Sequence, residues 1–218
     1  MGRMIPTQPQ LDQTADLLLQ VADAEILPRF RRLGPEDIRS KTSATDLVTV
    51  ADEAAERVLT RELRLRFPDA LVIGEEAVSA DPSLLDALDA ADFAITIDPV
   101  DGTRNFAAGL AVFAVMVGFL AKGRPVAGIV CDPVVRDWAM AREGHGAWLR
   151  HGDGTRERLR VAAPKPVEAM EGCGLWAHMH DEGRAAFAQR LTRCAGTSAY
   201  RCAGQECRAV ASGRFDFV

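Results

Sequence analysis

Two pairs of acidic residues each end a short apolar run, and their spacing is the strongest chemical signal in the chain. Asp98 and Asp101 follow the run Ala94–Ile97, while Glu75 and Glu76 follow "LVIG". Close carboxylates repel one another unless a positive charge lies between them. Strand ends that meet at one edge of a sheet would gather Glu75, Asp98 and Asp101. Because Mg²⁺ prefers oxygen ligands such as carboxylates, the pattern predicts a metal site.

The residues around the two aspartates predict how the backbone presents them. Pro99 fixes its own φ angle and favours an extended Asp98, so the strand is expected to end there. Gly102 permits an unusual backbone angle, and Thr103 can begin a helix over "TRNFAAGL". Helix N-termini bind phosphate, so these features together predict a site for a metal-bound phosphate ester. The alternative interpretation is an ordinary D-P-x-D-G turn without function.

Hydrophobic periodicity predicts helices in the first third of the chain. Apolar residues recur at helical spacing over residues 14–30, and a Ser/Thr-rich loop with a short hairpin is expected to follow. A second helix is predicted from about Asp52, which could cap it, to Arg66. "ALVIGEE" is typical of a short strand, and "DPSLLDALDAAD" is typical of a helix that begins at Asp81.

Strand-like runs replace the helices from Phe93 onward. Two further helices are predicted over "DEGRAAFAQRLTR" and "AGQECRAVASG", which indicates a layered α+β protein. Neither G-x-G-x-x-G nor a P-loop occurs, so the two standard nucleotide cradles are excluded. Five apolar runs predict a sheet of at least four mostly antiparallel strands: "FAITID", "VFAVMVGFLA", "PVAGIVCD", "DWAMARE" and "GAWLRH".

Length and composition predict one soluble domain, with halves at about residues 1–150 and 151–218. The 218 residues are 48% hydrophobic and 26% charged, and the net charge of −5 offers no global attraction to nucleic acid. The N-terminus lacks the apolar core of a signal peptide, and the longest apolar run, Leu110–Ala121, is too short to span a bilayer. Five cysteines without CxxC spacing fit reduced thiols. A cytoplasmic location without membrane contact is predicted.

Four segments resemble the inositol monophosphatase family of Mg²⁺-dependent, lithium-sensitive phosphatases. "DPVDGTRNF" is similar to that family's signature, and "KTSATDLVTVAD", "IGEE" and "GIVCDPVVRDWAMAREGHGAWLRHG" agree with it in order and spacing. The resemblance runs from about Leu17 to the C-terminus. It implies a layered αβαβα sandwich of the sugar-phosphatase type, and a phosphomonoesterase in which a metal-activated water attacks a small phosphorylated substrate.

The resemblance also implies roles for individual residues. Asp98 would bridge two ions, and two or three Mg²⁺ ions would bind in total. Glu76 would support the site through a water molecule, while Asp52 and Thr103 would orient and help deprotonate the attacking water. The metal ligands would be Glu75, Asp98, Asp101 and the backbone carbonyl of Val100, and the substrate would meet the N–H groups of Gly102 and Thr103 and, weakly, Ala203.

Simple structural interpretations are also available for several polar residues. Lys41 is interpreted as a solvated loop charge, although a lysine lies near the site in the family that the chain resembles. Asp132 and Asp137 flank a turn and are interpreted as structural. His145 lies between two glycines and is expected to be an exposed turn residue.

The chain departs from the family pattern in two respects. The family's W-D-x-A-A-G motif, expected downstream of "GRFDF" at residues 213–217, is absent, so a truncated second half is expected. A chain that lacks that aspartate is expected to bind metal weakly and to hydrolyse esters poorly. Arg201 and Cys202 stand where inositol-specific members carry other residues, and Arg104 replaces the common threonine or serine of the family signature.

Several functions therefore stay open. An inositol or other small polyol phosphate is the first substrate choice, and histidinol phosphate or another small phosphate ester is the alternative. A catalytically impaired relative that binds metal or phosphate is the competing function, and a purely structural scaffold is a third. A homodimer is possible by analogy with the family.

Overall fold

The computed structural model describes residues 4–43, 46–174 and 181–218. A seven-stranded sheet forms its centre, with strand order β3-β4-β5-β6-β7-β8-β9. All neighbouring strands are antiparallel except β3 and β4, which are parallel. Its strands are β3 (Leu71–Gly74), β4 (Phe93–Asp101), β5 (Ala114–Ala121), β6 (Arg124–Asp132), β7 (Asp137–Arg142), β8 (Gly146–Arg150) and β9 (Arg156–Arg158).

Two smaller sheets and seven helices complete the described fold. β1 (Ile38–Ser40) and β2 (Leu47–Thr49) form the predicted hairpin, and β10 (Glu171–Cys173) and β11 (Gly196–Ser198) pair in parallel. No helix of the described residues is long and apolar enough to cross a membrane. The helices are α1 (Gln8–Val21), α2 (Val50–Arg66), α3 (Glu75–Ala80), α4 (Leu84–Ala90), α5 (Thr103–Ala107), α6 (Asp181–Leu191) and α7 (Ala203–Ala211).

Helices α1 and α2 cover one face of the central sheet. Alternate β5 side chains, Val115, Val117 and Phe119, lie in the same buried cluster as Leu18 of α1 and Leu59 of α2. Side chains alternate between the two faces of a strand, so Met116 belongs to the opposite face. The main hydrophobic core therefore lies between this helix pair and the sheet.

Helix α7 packs on the opposite face, close to the end of β4 that carries the acidic residues. A Cβ atom added at Gly204 would lie 2.8 Å from both Met116 Sδ and Val130 Cγ1, so the glycine allows close approach. Gln205 donates to Asp132 Oδ2 at 2.7 Å, and Arg208 pairs with Asp137. Asp132 and Asp137 are thus structural, as predicted, because they fasten α7 to the sheet.

The predicted α+β class is confirmed, with helices on both faces of a central mixed sheet. All five strand-like runs form strands, and both late helices are present.

The first helix begins at Gln8 rather than at Thr14, because Thr7 caps it by accepting the N–H of Gln10 at 3.4 Å. Asp81 does not begin a helix. It accepts the N–H and hydroxyl of Ser83, and α4 follows this turn.

Three local expectations near the site were wrong. Thr49, not Asp52, is the N-cap of α2, and Asp52 occupies the third helical position and accepts the Thr49 N–H at 3.0 Å. Glu75 and Glu76 begin a helix instead of extending a strand. The strand does not end at Asp98 but continues to Asp101 after an irregularity.

We predict that the buried Arg208–Asp137 pair is needed to fasten α7. Arg208→Met should lower the free energy of unfolding by about 3 kcal/mol or more, because it leaves a buried carboxylate without its partner. The double variant Arg208→Met/Asp137→Leu should recover about 1–3 kcal/mol of that loss. Urea denaturation measures both values. Arg193→Met, which removes an exposed pair with Glu168, is the control, with an expected change below about 0.5 kcal/mol. A double variant as unstable as Arg208→Met would contradict this account.

Candidate active site

A bulge at the end of β4 presents the two aspartates. Asp98 pairs with Met116 of β5, but Asp101 pairs with Ala114, so β4 contains one residue more than its partner between these pairs. The extra residue bends the strand where Pro99 and Val100 lie. Gly102 then adopts φ +88°, and a Cβ atom there would lie 2.9 Å from the Val112 carbonyl oxygen. Only glycine fits this turn without strain, which lets α5 begin directly after Asp101.

A cleft of about 550 Å³ opens over this turn, and most of the predicted site residues line it. Its walls come from the hairpin loop, the first residue of α3, the end of β4, the start of α5 and the start of α7. Asp52 and Glu76 do not line the cleft, but each contacts a group of the site. The predicted residues that line it are Glu75, Asp98, Val100, Asp101, Gly102, Thr103 and Ala203, joined by Thr42, Ser43, Asp46, Leu47, Arg104, Arg201 and Cys202.

Asp98 is the most constrained of the acidic groups. Its Oδ1 atom is buried and has no hydrogen-bond partner among the described residues. Burial raises the pKa of Asp98 well above its ordinary value, and the nearby charges of Glu75 and Asp101 raise it further. A carboxylate in these surroundings requires either a proton or a cation.

Asp52 and Thr103 form a hydrogen-bonded pair beside the cleft. The Thr103 hydroxyl lies 3.0 Å from Asp52 Oδ1 and 2.9 Å from the carbonyl oxygen of Val100, and it can donate its one proton to only one of them at a time. Asp52 is 1% exposed. Burial raises its pKa to about 6, against the opposing hydrogen bonds from Thr49 and Thr103. The proposed general base therefore titrates close to neutral pH.

Lys41 bridges Glu75 and Glu76, so its interpretation as a solvated loop charge was wrong. Its Nζ atom donates to Glu75 Oε1 and Glu76 Oε1, both at 2.8 Å, and its side chain is only 9% exposed. Burial lowers the pKa of Lys41, but the two carboxylates outweigh burial and raise it above its ordinary value. Burial raises the pKa of Glu76 to about 7 despite the lysine. The lysine thus holds together two carboxylates that would otherwise repel.

Glu56 is a site residue that the sequence analysis missed. Its carboxylate accepts the N–H of Glu76 at 2.7 Å and of Ala77 at 2.9 Å, which fixes the first turn of α3. A Cβ atom at Gly74 would lie 2.0 Å from the Glu56 carboxyl carbon, so only glycine leaves room for this contact. One signal was available, because Glu56 follows Asp52 by four residues and so shares its helix face.

The start of α7 holds Asp101. Asp101 Oδ1 accepts the N–H of Ala203 at 3.1 Å, and Oδ2 accepts the N–H of Gly204 at 2.5 Å. The thiol of Cys202 also donates to Oδ2, at 3.0 Å. Ala203 therefore contacts a proposed metal ligand through its backbone, and the second half of the chain contributes directly to the site.

The oxygen atoms in the cleft are of the type that a hard divalent cation prefers, although several of the residues that carry them also bond other groups of the protein. Carboxylate and carbonyl oxygens of Glu75, Asp98, Val100 and Asp101 share the cleft, and Asp98 Oδ1 lacks a partner. Within the described ranges, no three acidic, histidine or cysteine side chains already converge as a metal-binding group. Glu75 faces Lys41 and Asp101 faces α7, so metal binding would compete with these contacts.

A cleft of acidic oxygens at a strand end, beside a helix start and a threonine–aspartate pair, is typical of enzymes that act on phosphate esters with divalent metals. A family model described as "Inositol monophosphatase family" matches residues 8–218. The chain therefore belongs to the inositol monophosphatase family, which confirms the resemblance found in its motifs.

Two curated relatives show the degree of similarity. The chain is 33% identical over 195 residues to "Nus factor SuhB" of Pseudomonas aeruginosa, a match that covers 86% of this chain and 69% of the relative. It is 33% identical over 183 residues to "Inositol-1-monophosphatase" of Caulobacter vibrioides, with 81% and 67% covered. Other matches cover as little as 40% and 48% of the relative. The chain thus spans less than two thirds of several relatives that it matches.

Solved structures share the fold. An IMPase of Thermotoga maritima superposes with a TM-score of 0.79 at 27% identity, covering 97% of this chain and 76% of that one. An IMPase/NADP phosphatase solved with Mg²⁺ and phosphate gives a TM-score of 0.73 at 18% identity, covering 95% and 73%. At 18% identity the second match is a likeness of fold alone.

We predict that Glu56 positions the acidic start of α3. Glu56→Gln should lower the free energy of unfolding by about 1–3 kcal/mol, because an amide can accept only one of the two N–H groups and leaves the other unpaired. Chemical denaturation measures this loss. Glu53→Gln is the matched control on the same helix, since Glu53 is half-buried and Arg39 is its ion-pair partner among the described residues. Equal stabilities of the two variants would contradict the assignment.

We predict that Asp52 destabilises the fold at neutral pH. Its pKa of about 6 lies above an unfolded value near 4. The stabilisation from proton uptake is therefore full below about pH 4 and is lost as the pH rises through about 6. Asp52→Asn should become more stable relative to the native chain by about 1 kcal/mol between pH 5 and pH 7.5 in metal-free buffer. A stability difference that stays constant between these two pH values, measured by urea denaturation with EDTA, would show that the carboxyl does not titrate in this range.

Proposed function

We propose that this protein is a Mg²⁺-dependent phosphomonoesterase that hydrolyses a small phosphorylated polyol or sugar-like ester. One observation carries the proposal: the buried, unpartnered Asp98 Oδ1 lies in the same cleft as Thr103, whose hydroxyl contacts Asp52. Family membership supports the reaction class. The IMPase/NADP phosphatase with bound Mg²⁺ and phosphate supports the choice of metal by analogy.

Four oxygen donors would hold the metal: the carboxylates of Glu75, Asp98 and Asp101 and the carbonyl of Val100. A divalent cation there would neutralise the ester phosphate and acidify the attacking water. The raised pKa of Asp98, caused first by burial and then by the charges of Glu75 and Asp101, supports this assignment, because a bound cation would compensate the buried negative charge. Lys41 would keep the Glu75 side chain at the site before metal arrives. Two or three ions remain our prediction for the number bound.

Thr103 and Asp52 would remove the proton of the attacking water. If the Val100 carbonyl turns towards a cation, the Thr103 hydroxyl is left to donate to Asp52 Oδ1. The Thr103 oxygen can then accept a hydrogen bond from water, so a proton can pass to Asp52 through the threonine. With a pKa of about 6, Asp52 is ionised at pH 7.5 and is still basic enough to accept that proton.

Backbone groups would bind the two ends of the ester. The N–H groups of Gly102 and Thr103, at the start of α5, would hold the phosphate, as sequence analysis predicted. Ala203 lines the same cleft from α7 and would meet the alcohol end. Inositol monophosphate is the first reference substrate, because a relative of 33% identity is called inositol-1-monophosphatase. Histidinol phosphate remains the alternative.

The proposal is tested by phosphate release with Mg²⁺ and with EDTA. We predict that Asp98→Asn lowers kcat at least about 100-fold, because it removes the central anionic ligand. Its thermal stability without metal should stay equal or rise, since a neutral amide relieves the buried charge. Differential scanning calorimetry measures the second effect.

Asp153→Asn is the matched control, because Asp153 is exposed and its hydrogen bonds within the described ranges are to Thr155 of its own turn. It should keep full activity. Loss of stability with Asp98→Asn would assign Asp98 a structural role. Equal rates with Mg²⁺ and with EDTA would refute metal dependence. Mg²⁺ binding without turnover would favour the catalytically impaired relative.

A further inference from the structure

Two arginines line the cleft without a side-chain partner among the residues that the structure describes. Arg104 of α5 is exposed, Arg201 is half-buried, and both line the cleft that holds Asp98 and Asp101. Neither guanidinium group makes a hydrogen bond or an ion pair within the ranges that the structure describes. Other arginines are engaged, as in the pairs of Arg136 with Asp23 and of Arg150 with Asp16. The two cleft arginines are therefore available to a ligand.

The backbone around Arg201 is held in an unfavourable conformation. Arg201 has φ +54°, in the left-handed region that favours glycine. Glu206, only 2% exposed, enforces it by accepting the N–H of Tyr200 at 2.8 Å and of Arg201 at 3.1 Å. Asn105 of α5 also donates to the Tyr200 carbonyl at 2.7 Å. Strain retained at a ligand cleft is a reason to ask what the side chain contributes.

Both arginines come close to the residues proposed to bind the ester phosphate, because a Cβ atom at Gly102 would lie 3.5 Å from the Arg201 carbonyl oxygen. Arg104 follows Thr103 directly, while Arg201 precedes the α7 start that holds Asp101. In the proposed function, the cation and the N–H groups at the start of α5 already bind the ester phosphate, so the arginines are not needed for that group. The planar guanidinium group matches a second phosphate or a carboxylate, and paired arginines raise both affinity and specificity for such a group. A cleft of about 550 Å³ is large enough for a small metabolite.

We propose that Arg104 and Arg201 form a subsite for a second anionic group. The substrate is then a small phosphate ester that also carries a carboxylate or another phosphate, rather than a polyol whose one phosphate is its only anionic group. This inference rests on the proposed phosphatase function and narrows its substrate class.

The test compares esters that differ only in the second anion. Fructose 1,6-bisphosphate is paired with fructose 1-phosphate, and 3-phosphoglycerate with glycerol 3-phosphate. The native chain should prefer the member with two anionic groups about tenfold or more in kcat/KM. The variant Arg104→Gln/Arg201→Gly should lose this preference, while its kcat/KM for the ester with one anionic group stays within about threefold. Arg124→Gln, at the opposite end of the sheet from Asp98 and Asp101, is the matched control and should keep the preference.

The variant Arg201→Gly distinguishes the contribution of the Arg201 side chain to binding from any effect on folding stability. Glycine adopts φ +54° freely, so this variant should keep its Tm within about 2 °C while losing part of the preference. An equal fall in kcat/KM for both members of a pair would mean that the arginines hold the ester phosphate, and it would overturn the subsite. Absence of any preference in the native chain would also overturn it.

Binding can test the subsite even if no ester is hydrolysed. Each ester is titrated into the variant Asp52→Asn with Mg²⁺, and isothermal titration calorimetry measures its affinity. Absence of turnover of every ester by the native chain would defeat the proposed phosphatase function alone. Tighter binding of fructose 1,6-bisphosphate than of fructose 1-phosphate, by about tenfold or more and lost when both arginines are replaced, would still support the subsite. Equal binding, or no binding of either ester, would refute it.

Discussion

The mutual repulsion of buried carboxylates is the constraint on which the rest of the site depends. Asp98 lies at its centre, with Glu75, Asp101 and Asp52 all close enough to raise its pKa. Each of these three neighbours has protein donors of its own, namely Lys41, the α7 amides, and Thr49 with Thr103. Asp98 Oδ1 is the one buried carboxylate oxygen without a hydrogen-bond partner among the described residues. In the proposed function, a bound cation would supply the positive charge that this buried oxygen lacks.

The acidic cluster is tolerated because backbone N–H groups at helix starts surround it. Glu56 bonds the first turn of α3, Asp101 bonds the first turn of α7, and Asp52 bonds the cap of α2. Amides at a helix start lack intrahelical acceptors and carry partial positive charge, so each carboxylate there gains donors that water would otherwise supply. Three helices therefore begin next to the site for a common electrostatic reason. The same amides fix the carboxylates in place.

The local part of the site could be predicted from sequence, whereas its long-range contacts could not. Asp98 and Asp101 were found because Pro99 and Gly102 act on their immediate neighbours, and the same residues implied the turn into α5. Asp52 was wrongly assigned as the helix cap, because Thr49 is an equally good cap three residues earlier and only the fold decides between them. The strand was expected to end at Asp98, but pairing with β5 carries it on to Asp101.

Lys41 and Glu56 show why the remainder was missed. Lys41 was interpreted as solvated because nothing in its own segment binds it, and its partners lie 34 and 35 residues away. The contact of Glu56 with α3 needs a glycine at position 74, and that need is visible only when α2 and β3 are packed together. Both residues are charged, and although Lys41 begins a segment that resembles the family, neither position shows in the sequence which groups the side chain binds. Sequence periodicity assigns such residues to the surface by default.

The contact between Asp101 and α7 makes the site a property of the whole fold. Asp101 lies 101 to 103 residues before the groups that bind it, so the acidic centre is complete only when the segment from Tyr200 to Ala211 has packed. That packing depends in turn on Gly204, which lies against Met116 and Val130 of the central sheet. The raised pKa values of Asp52 and Asp98 mean that the same packing also buries charge at a free-energy cost near neutral pH. The hydrophobic core under α1 and α2 must offset that cost, and the cation of the proposed function would reduce it by neutralising part of the buried negative charge.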